Sequence, residues 1–412
     1  LKWIPNSGHP LNQTLAMLGP TLKLVNGQRV KIKYTNQLGV TTTMHGHGMH
    51  VPAEMDGGPH QSILPNETWT ADYTVKQKAC TSWYHPHAMG TTAEHVYKGL
   101  AGMMIIEDSE SATNDLPNDY KVDDIPLVLQ DRIIDANGQF SYAPSMMEKM
   151  QGYRGNIWLC NGQIEPTFTA KAGLLRLRLL NGSNAGIYML SLSNGASFHL
   201  VATDGALLER PVALTQIRLT PGERAEIVLD LTHAAGQIFA LQAKEEELNI
   251  TKTFLNITVS NTVGNKTAVP STLTTLTLPS SANAVRTRTF SLGMAGMGKL
   301  TINGAQMNKS IINENVPLND LEIWEISNPM PMPHNFHIHA THFVPLDRNG
   351  SVNSLEKWEK NGYKDVIYLP ANSTVRFLVK MTDYVDSVSP YMYHCHILEH
   401  EDGGMMGQFT VA

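Results

Sequence analysis

A chain of 412 residues has room for roughly two to four domains, and 42% apolar residues supply ordinary cores. With 31 basic against 37 acidic side chains the net charge is −6, which excludes the basic surface a nucleic-acid partner needs. No apolar run reaches the length of a membrane span, so no membrane partner is expected. The chain opens at Leu1, without a Met or a secretory leader, which is read as a processed or trimmed mature form.

Taken in order, Lys31-Ile32-Lys33-Tyr34-Thr35-Asn36 alternates like a strand and closes on Asn. His45-Gly46-His47 follows, then the turn Leu64-Pro65-Asn66-Glu67-Thr68, then His85-Pro86-His87. Asp108 to Asp124 is polar and acidic and reads as a connection. Met146 to Met150 reads as a short surface or capping segment. Arg176-Leu177-Arg178-Leu179-Leu180-Asn181 repeats the first strand 145 residues on. Phe198-His199-Leu200-Val201 repeats the first histidine pair with Val in the second place, and Leu219-Thr220-Pro221-Gly222-Glu223 repeats the turn. Val263 to Val285, rich in Ser, Thr, Pro and Asn, reads as a linker. Glu322-Ile323-Trp324-Glu325-Ile326-Ser327-Asn328 gives the strand a third time, 147 residues later, and Leu369-Pro370-Ala371-Asn372-Ser373 gives the third turn. Short alternating strands, frequent turns and a repeat of this period predict an all-β chain of three sandwich domains, at 1–112, 113–270 and 271–412. The second lacks a full histidine pair and is expected to be a metal-free spacer between the outer two.

The chemistry concentrates near the end. If Tyr393 to Ile397 is a strand, His394 and His396 face one way and Cys395 the other. By the same parity, His337 and His339 share a face and His334 falls on the opposite one. A Cys thiolate, two His and a weak axial Met make a blue-copper ligand set, which His334, Cys395, His400 and Met405 supply. The four His-x-His pairs at 45/47, 85/87, 337/339 and 394/396 exceed the needs of one ion and suit a cluster of about three coppers. Seven further histidines (His9, His50, His60, His95, His199, His233 and His342) fall outside the pattern. Cys80 and Cys160 are either a disulfide or two buried free thiols.

The segments HGHG, HPH, HNFHIH and HCHILEHEDGGMM resemble the copper-binding motifs of multicopper oxidases, in particular bacterial laccases and periplasmic cuprous oxidases. The resemblance runs along essentially the whole chain. It implies cupredoxin-like Greek-key domains, four copper ions in one blue site and one trinuclear cluster, and a periplasmic or secreted monomer. It also implies one-electron oxidation of phenolic or aromatic compounds, of Cu(I), or of both, coupled to four-electron reduction of dioxygen to water, with a place in copper homeostasis. His45 and His337 match the ligands of the lone cluster copper. His47, His85 and His396 match those of one copper of the pair, and His87, His339 and His394 those of the other. Asp56 and Glu401 match acids that supply protons, against the simpler readings of a turn residue and a solvated charge. Met332 matches a thioether for substrate copper, although Met330 stands where that pattern has Asp. The Met- and His-rich insertion of cuprous oxidases shrinks here to Met294-Ala295-Gly296-Met297-Gly298. A copper storage or delivery protein without turnover is the competing reading.

Overall fold

The alternating runs pair into six sheets, which face one another two by two. The structure is a computed structural model and describes residues 17–135 and 139–412. In the first sandwich, Leu22–Val25, Gly102–Glu107, Cys80–His85 and His45–His47 form one sheet in that order, and Arg29–Thr35 pairs with Thr68–Thr74 in the other. Leu24, Val30, Ala71, Tyr73, Tyr84 and Ile106 lie between them. The second sandwich sets a seven-stranded sheet, centred on Arg224–Asp230 and Leu174–Asn181, against a five-stranded one centred on Ile238–Glu245. Its core, including Leu177, Tyr188, Phe198, Ile227 and Phe254, is the most extensive of the three. The third faces two five-stranded sheets, with Leu321–Asn328 central in one and Asp386–His394 central in the other. Trp324, Phe290, Phe336, Tyr393 and Phe409 pack between them, each fully buried large side chain contributing about 1.5–3 kcal/mol. The all-β architecture of cupredoxin-like sandwiches is thus as the sequence predicts.

The two recurring sequence landmarks meet in space three times over. Asn36 Nδ2 donates to the Ile63 carbonyl at 2.8 Å, Asn181 Nδ2 to Leu219 at 2.9 Å, and Asn328 Nδ2 to Leu369 at 3.2 Å. Each closing Asn therefore ties its strand to the start of the turn that follows in the repeat. In each turn one residue takes positive φ, at Asn66 (67°), Gly222 (83°) and Asn372 (52°). These are the residue types that tolerate the left-handed region.

One expectation changes and two are filled in. The strand expected over Tyr393 to Ile397 runs Asp386–His394 and ends there. Beyond it the Cys395 N–H still donates to Met405 O at 3.1 Å, but the His396 N–H is taken by Asn335 Oδ1 at 2.7 Å, and the helix Leu398–Asp402 begins. Alternation of side chains nevertheless persists through His396. Met146 to Met150 lies within a helix, Met146–Gln151, opened by a capping box between Ser145 and Glu148. The expected linker begins where the strand Ile250–Val263 ends, and it is pinned along its length, with Leu273 N–H donating to Glu209 O at 2.9 Å and Lys78 Nζ to Thr275 O at 3.1 Å. Cys80 and Cys160 are buried free thiols. Among the described residues no helix is long and apolar enough to cross a membrane.

Candidate metal centres

His334 opens the strand His334–Ile338, Cys395 follows the last residue of its neighbour Asp386–His394, and His400 sits on the Leu398–Asp402 helix. Cys395 Sγ lies 3.5 Å from His334 Nδ1 and 3.7 Å from His400 Nδ1, and the two nitrogens are 3.1 Å apart. All three residues and Met405 are buried, and Met405 shares the Cys395 core. His400 Nε2–H donates to the Met150 carbonyl at 3.0 Å, which leaves Nδ1 as the free donor. Burial pushes the Cys395 thiol up to about 12, and burial lowers His400 to about 4. The imidazoles are therefore neutral, as ligands must be, and the thiol becomes a thiolate at neutral pH only beside a cation.

On the opposite side of the same backbone, His87, His339 and His394 bring their Nε2 atoms to within 3.1–3.2 Å of one another. His45, His47, His85, His337 and His396 surround this trio. His45 stacks on His339 at 3.9 Å between ring centroids and His47 on His337 at 3.8 Å. His396 lies 4.9 Å from His47 and 5.3 Å from His85 by centroid. Burial, reinforced for all but His394 by the neighbouring imidazoles, lowers all eight; His394 falls to about 4. His45 Nε2, His47 Nδ1, His85 Nε2, His337 Nε2 and both His396 nitrogens are buried without a hydrogen-bond partner. Converging lone pairs in a buried interior are unfavourable without an acceptor for them, and a cation is one, so the donor set fits metal. Behind the rings, His45, His85 and His337 donate from Nδ1 to the carbonyls of Asp56, Pro86 and Asp365, each at 2.7 Å. Such contacts fix ring orientation and leave Nε2 as the free donor.

Asp56 and Glu401 are each only 1% exposed, which overturns the solvated-charge reading of Glu401. Asp56 does follow the one-turn 3-10 helix Ala53–Met55, but its Oδ2 also accepts from His339 Nδ1 at 2.7 Å. Glu401 Oε1 lies 3.2 Å from His87 Nδ1 and its Oε2 lies 3.4 Å from His394 Nδ1. Burial raises Asp56 to about 6 and holds Glu401 well above the usual carboxylate range.

Met330 and Met332 are half-buried, and Met330 packs on the third core. Neither lines the cavity of about 490 Å³ that Met150 shares with Tyr142, Met146, Leu300, Glu399 and Asp402. His50, His60 and His95 bond elsewhere, to Asp383 and Ala340 O, to Gln408 and to Thr42. His233 is exposed, and His9 lies outside the described residues. Sequence reasoning missed Asn335, whose Oδ1 holds the His396 N–H and whose Nδ2 donates to Thr220 Oγ1 at 3.1 Å and Pro221 O at 2.9 Å. Its place inside the HNFHIH motif was the available signal. Asp365 and the Met150 carbonyl carry no such signal, because their partners are remote in sequence.

Multicopper oxidase sequence families match residues 11–111, 79–265 and 269–412. The multicopper oxidase mco of Staphylococcus haemolyticus is 38% identical over 413 residues, covering 98% of this chain and 85% of that protein. The chain belongs to the multicopper oxidase family. The cell division protein FtsP of Xenorhabdus nematophila is also similar, 34% identical over 96% of this chain and 83% of that protein. Among solved structures, a laccase-like multicopper oxidase, CueO, from the lignin-degrading bacterium Ochrobactrum sp. superposes with a TM-score of 0.88 at 33% identity, covering 96% of this chain and 91% of that one. This oxidase is accordingly a copper-dependent oxidoreductase with dioxygen as acceptor, and its cofactors are four coppers, one mononuclear and three in a cluster. Family membership sets aside the storage reading.

Proposed function

We propose that this oxidase is a cuprous oxidase that takes electrons from Cu(I) at the cavity beside His400. One observation carries the reading. Among the described residues the five exposed methionines, Met89, Met146, Met147, Met294 and Met297, lie on or beside the segments that build this cavity. Met146 lines it, Met89 and Met297 adjoin its lining residues Gly90 and Gly298, and the Met150 thioether accepts from Gly298 N–H at 3.2 Å. Exposed thioethers gathered at one place suit soft Cu(I), and ordinary surface composition gives no reason for them.

In this reading His334, Cys395, His400 and Met405 hold the blue copper. His45 and His337 hold the lone cluster copper, His47, His85 and His396 one of the pair, and His87, His339 and His394 the other. Bound copper supplies the redox chemistry, in which four one-electron oxidations match the conversion of dioxygen and four protons to two waters. The chain supplies the rest. Met150 presents its carbonyl to His400 at the cavity wall. Cys395 is covalently joined to His394 and His396, so a continuous covalent path would connect the residues that hold the two centres. Glu401, held protonated by burial, and Asp56, near 6, stand behind the ligand rings as proton donors. The three sandwiches are assigned to 1–112, 113–270 and 271–412, with the ligands in the first and third. We place the protein in the periplasm or outside the cell, as a monomer.

The cavity volume favours a second substrate class, since about 490 Å³ with Tyr142 and Leu300 in its wall admits a phenol ring. Steady-state turnover on Cu(I) and on a phenol separates the two. In Met146→Ala/Met297→Ala, KM for Cu(I) should rise roughly tenfold, as about 1.4 kcal/mol of lost binding gives, with phenol turnover unchanged. Met330→Ala/Met332→Ala serves as the comparison. If only that variant loses Cu(I) turnover, the substrate copper binds before His334 and the cavity assignment fails.

A further inference from the structure

His47 is turned the opposite way from its neighbours. Where His45, His85 and His337 donate from Nδ1 to backbone carbonyls and leave Nε2 free, His47 has a buried, unpartnered Nδ1 and places Nε2 3.1 Å from Asp365 Oδ1. A neutral imidazole carries one N–H, and the nitrogen that keeps it is set by the partner on that side. For Nδ1 of His47 to be a donor to metal, the hydrogen must sit on Nε2, and Asp365 is the acceptor there.

Asp365 is itself held from a different sandwich. Arg224, in the strand Arg224–Asp230 of the second sandwich, donates NH1 to Asp365 Oδ1 at 2.5 Å and NH2 to Oδ2 at 2.6 Å, a bidentate pair that fixes the carboxylate plane. The guanidinium is fully committed, since it also donates to the carbonyls of Thr81, Gly222 and Asp204 at 3.0 Å each. Oδ1 thereby faces both the guanidinium and His47 Nε2, so the carboxylate is held where it can accept the imidazole hydrogen. The residue after His47 must be small for this pair to reach. A Cβ on Gly48, whose φ is +74°, would stand 2.5 Å from Asp365 Oδ2 and 2.7 Å from Arg224 NH2. The second glycine of the HGHG segment therefore makes room for the clamp.

We propose that Asp365 and Arg224 are a positioning pair that fixes His47 in the tautomer whose Nδ1 faces the cluster. The middle sandwich, which supplies no ligand, thereby takes part in building one copper position of the outer two. A second contact shows the same dependence. Gly222, two residues before Arg224, approaches the His396 ring so closely that a Cβ would lie 3.0 Å from three ring atoms. The inference rests on His47 being a cluster ligand, and the experiment tests the two separately.

The tautomer is read on metal-free protein by 15N–1H NMR of the histidine rings, and metal uptake by copper per chain with the blue absorption band as an internal control. In the parent, His47 carries its hydrogen on Nε2. In Asp365→Ala it should shift toward Nδ1, and the chain should lose cluster copper while keeping the blue band. Asp365→Asn, whose amide oxygen can still accept, should retain the Nε2–H form and recover part of the lost copper; it decides the matter if the alanine variant does not fold. An unchanged tautomer in Asp365→Ala, full copper uptake with the hydrogen on Nδ1, or loss of the blue band together with cluster copper overturns the proposal. The last outcome marks a merely structural role. His47→Ala with four coppers still bound would instead sink the ligand assignment and leave the tautomer result standing.

Discussion

At the scale of the residue, function depends on which atom of a side chain is occupied. His45, His47, His85 and His337 each have one ring nitrogen engaged and one free, and the engaged one differs between His47 and His45. Glu401 stands behind this layer, close to His87 and His394, and burial keeps it protonated well above the usual carboxylate range. As a proton donor it works below its own pKa, so its contribution is lost as pH rises through that value. Glu401→Gln should bind copper normally, slow dioxygen reduction roughly a hundredfold, and lose the high-pH limb of the activity profile. An unaltered rate would remove Glu401 from the proton route. The convergence of the proposed ligands was legible from the sequence, because parity along a strand sorts Cys395 from His394 and His396 without any knowledge of the fold. Asp365 was not, since His47 and Arg224 are brought to it by the other two sandwiches, and Asn335 was passed over although it sits inside the HNFHIH motif, because its hold on the His396 N–H appears only when the two strands are side by side.

At the scale of the element, the same turn is used three times with different demands. Asn66 meets only the backbone requirement of positive φ, whereas Gly222 must also leave space for the His396 ring. Asn66→Ala should therefore lower stability by about 1 kcal/mol with copper binding intact. Gly222→Ala should lower it by more and reduce cluster copper as well, which thermal melts and metal analysis together would show. Equal effects of the two substitutions would mean that the close approach to His396 is relieved elsewhere. The repeat of strand and turn was readable because it is carried by local residue types. The end of the strand at His394 was not, because it is set by Asn335 capturing the His396 N–H from across the sheet. Nor did the sequence show that the Met146–Gln151 helix, expected as a cap, covers the ring of His400 with its Met150 carbonyl.

At the scale of the whole molecule, the middle sandwich is more than the spacer its missing histidines suggest. Glu226 is buried between Arg176 and Arg178, accepts from Thr81 of the first sandwich at 2.7 Å, and shares Arg178 with Asp124. Burial alone would raise the Glu226 carboxyl, but the two guanidinium groups outweigh it and hold it at about 2. Its folded value is thus below the ordinary value of about 4.3, so its stabilisation is present above that pH and is lost as pH falls toward 2. Urea midpoints measured from pH 6 down to 2 should fall steeply over the lower part of that range. Glu226→Gln should be less stable at neutral pH by about 3–5 kcal/mol, since it leaves two buried cations short of a partner, and should show a shallower fall. A parallel pH profile for the two proteins would assign the acid sensitivity to other carboxylates. The three-sandwich plan was legible from the period. The coupling between sandwiches was hidden, because ion pairs such as Arg178 with Glu226 join residues that look like ordinary strand surface until their neighbours are known.

His394, Cys395 and His396 hang from successive α-carbons, about 3.8 Å apart along the chain. The backbone spacing between the groups that face the two candidate centres is therefore set by covalent geometry, whatever the loops and linkers do. Substitution can retune either centre singly, but an insertion or deletion within this tripeptide would swap sulfur for nitrogen on both sides at once. Any lineage that keeps one centre through such a length change must rebuild the other from nothing.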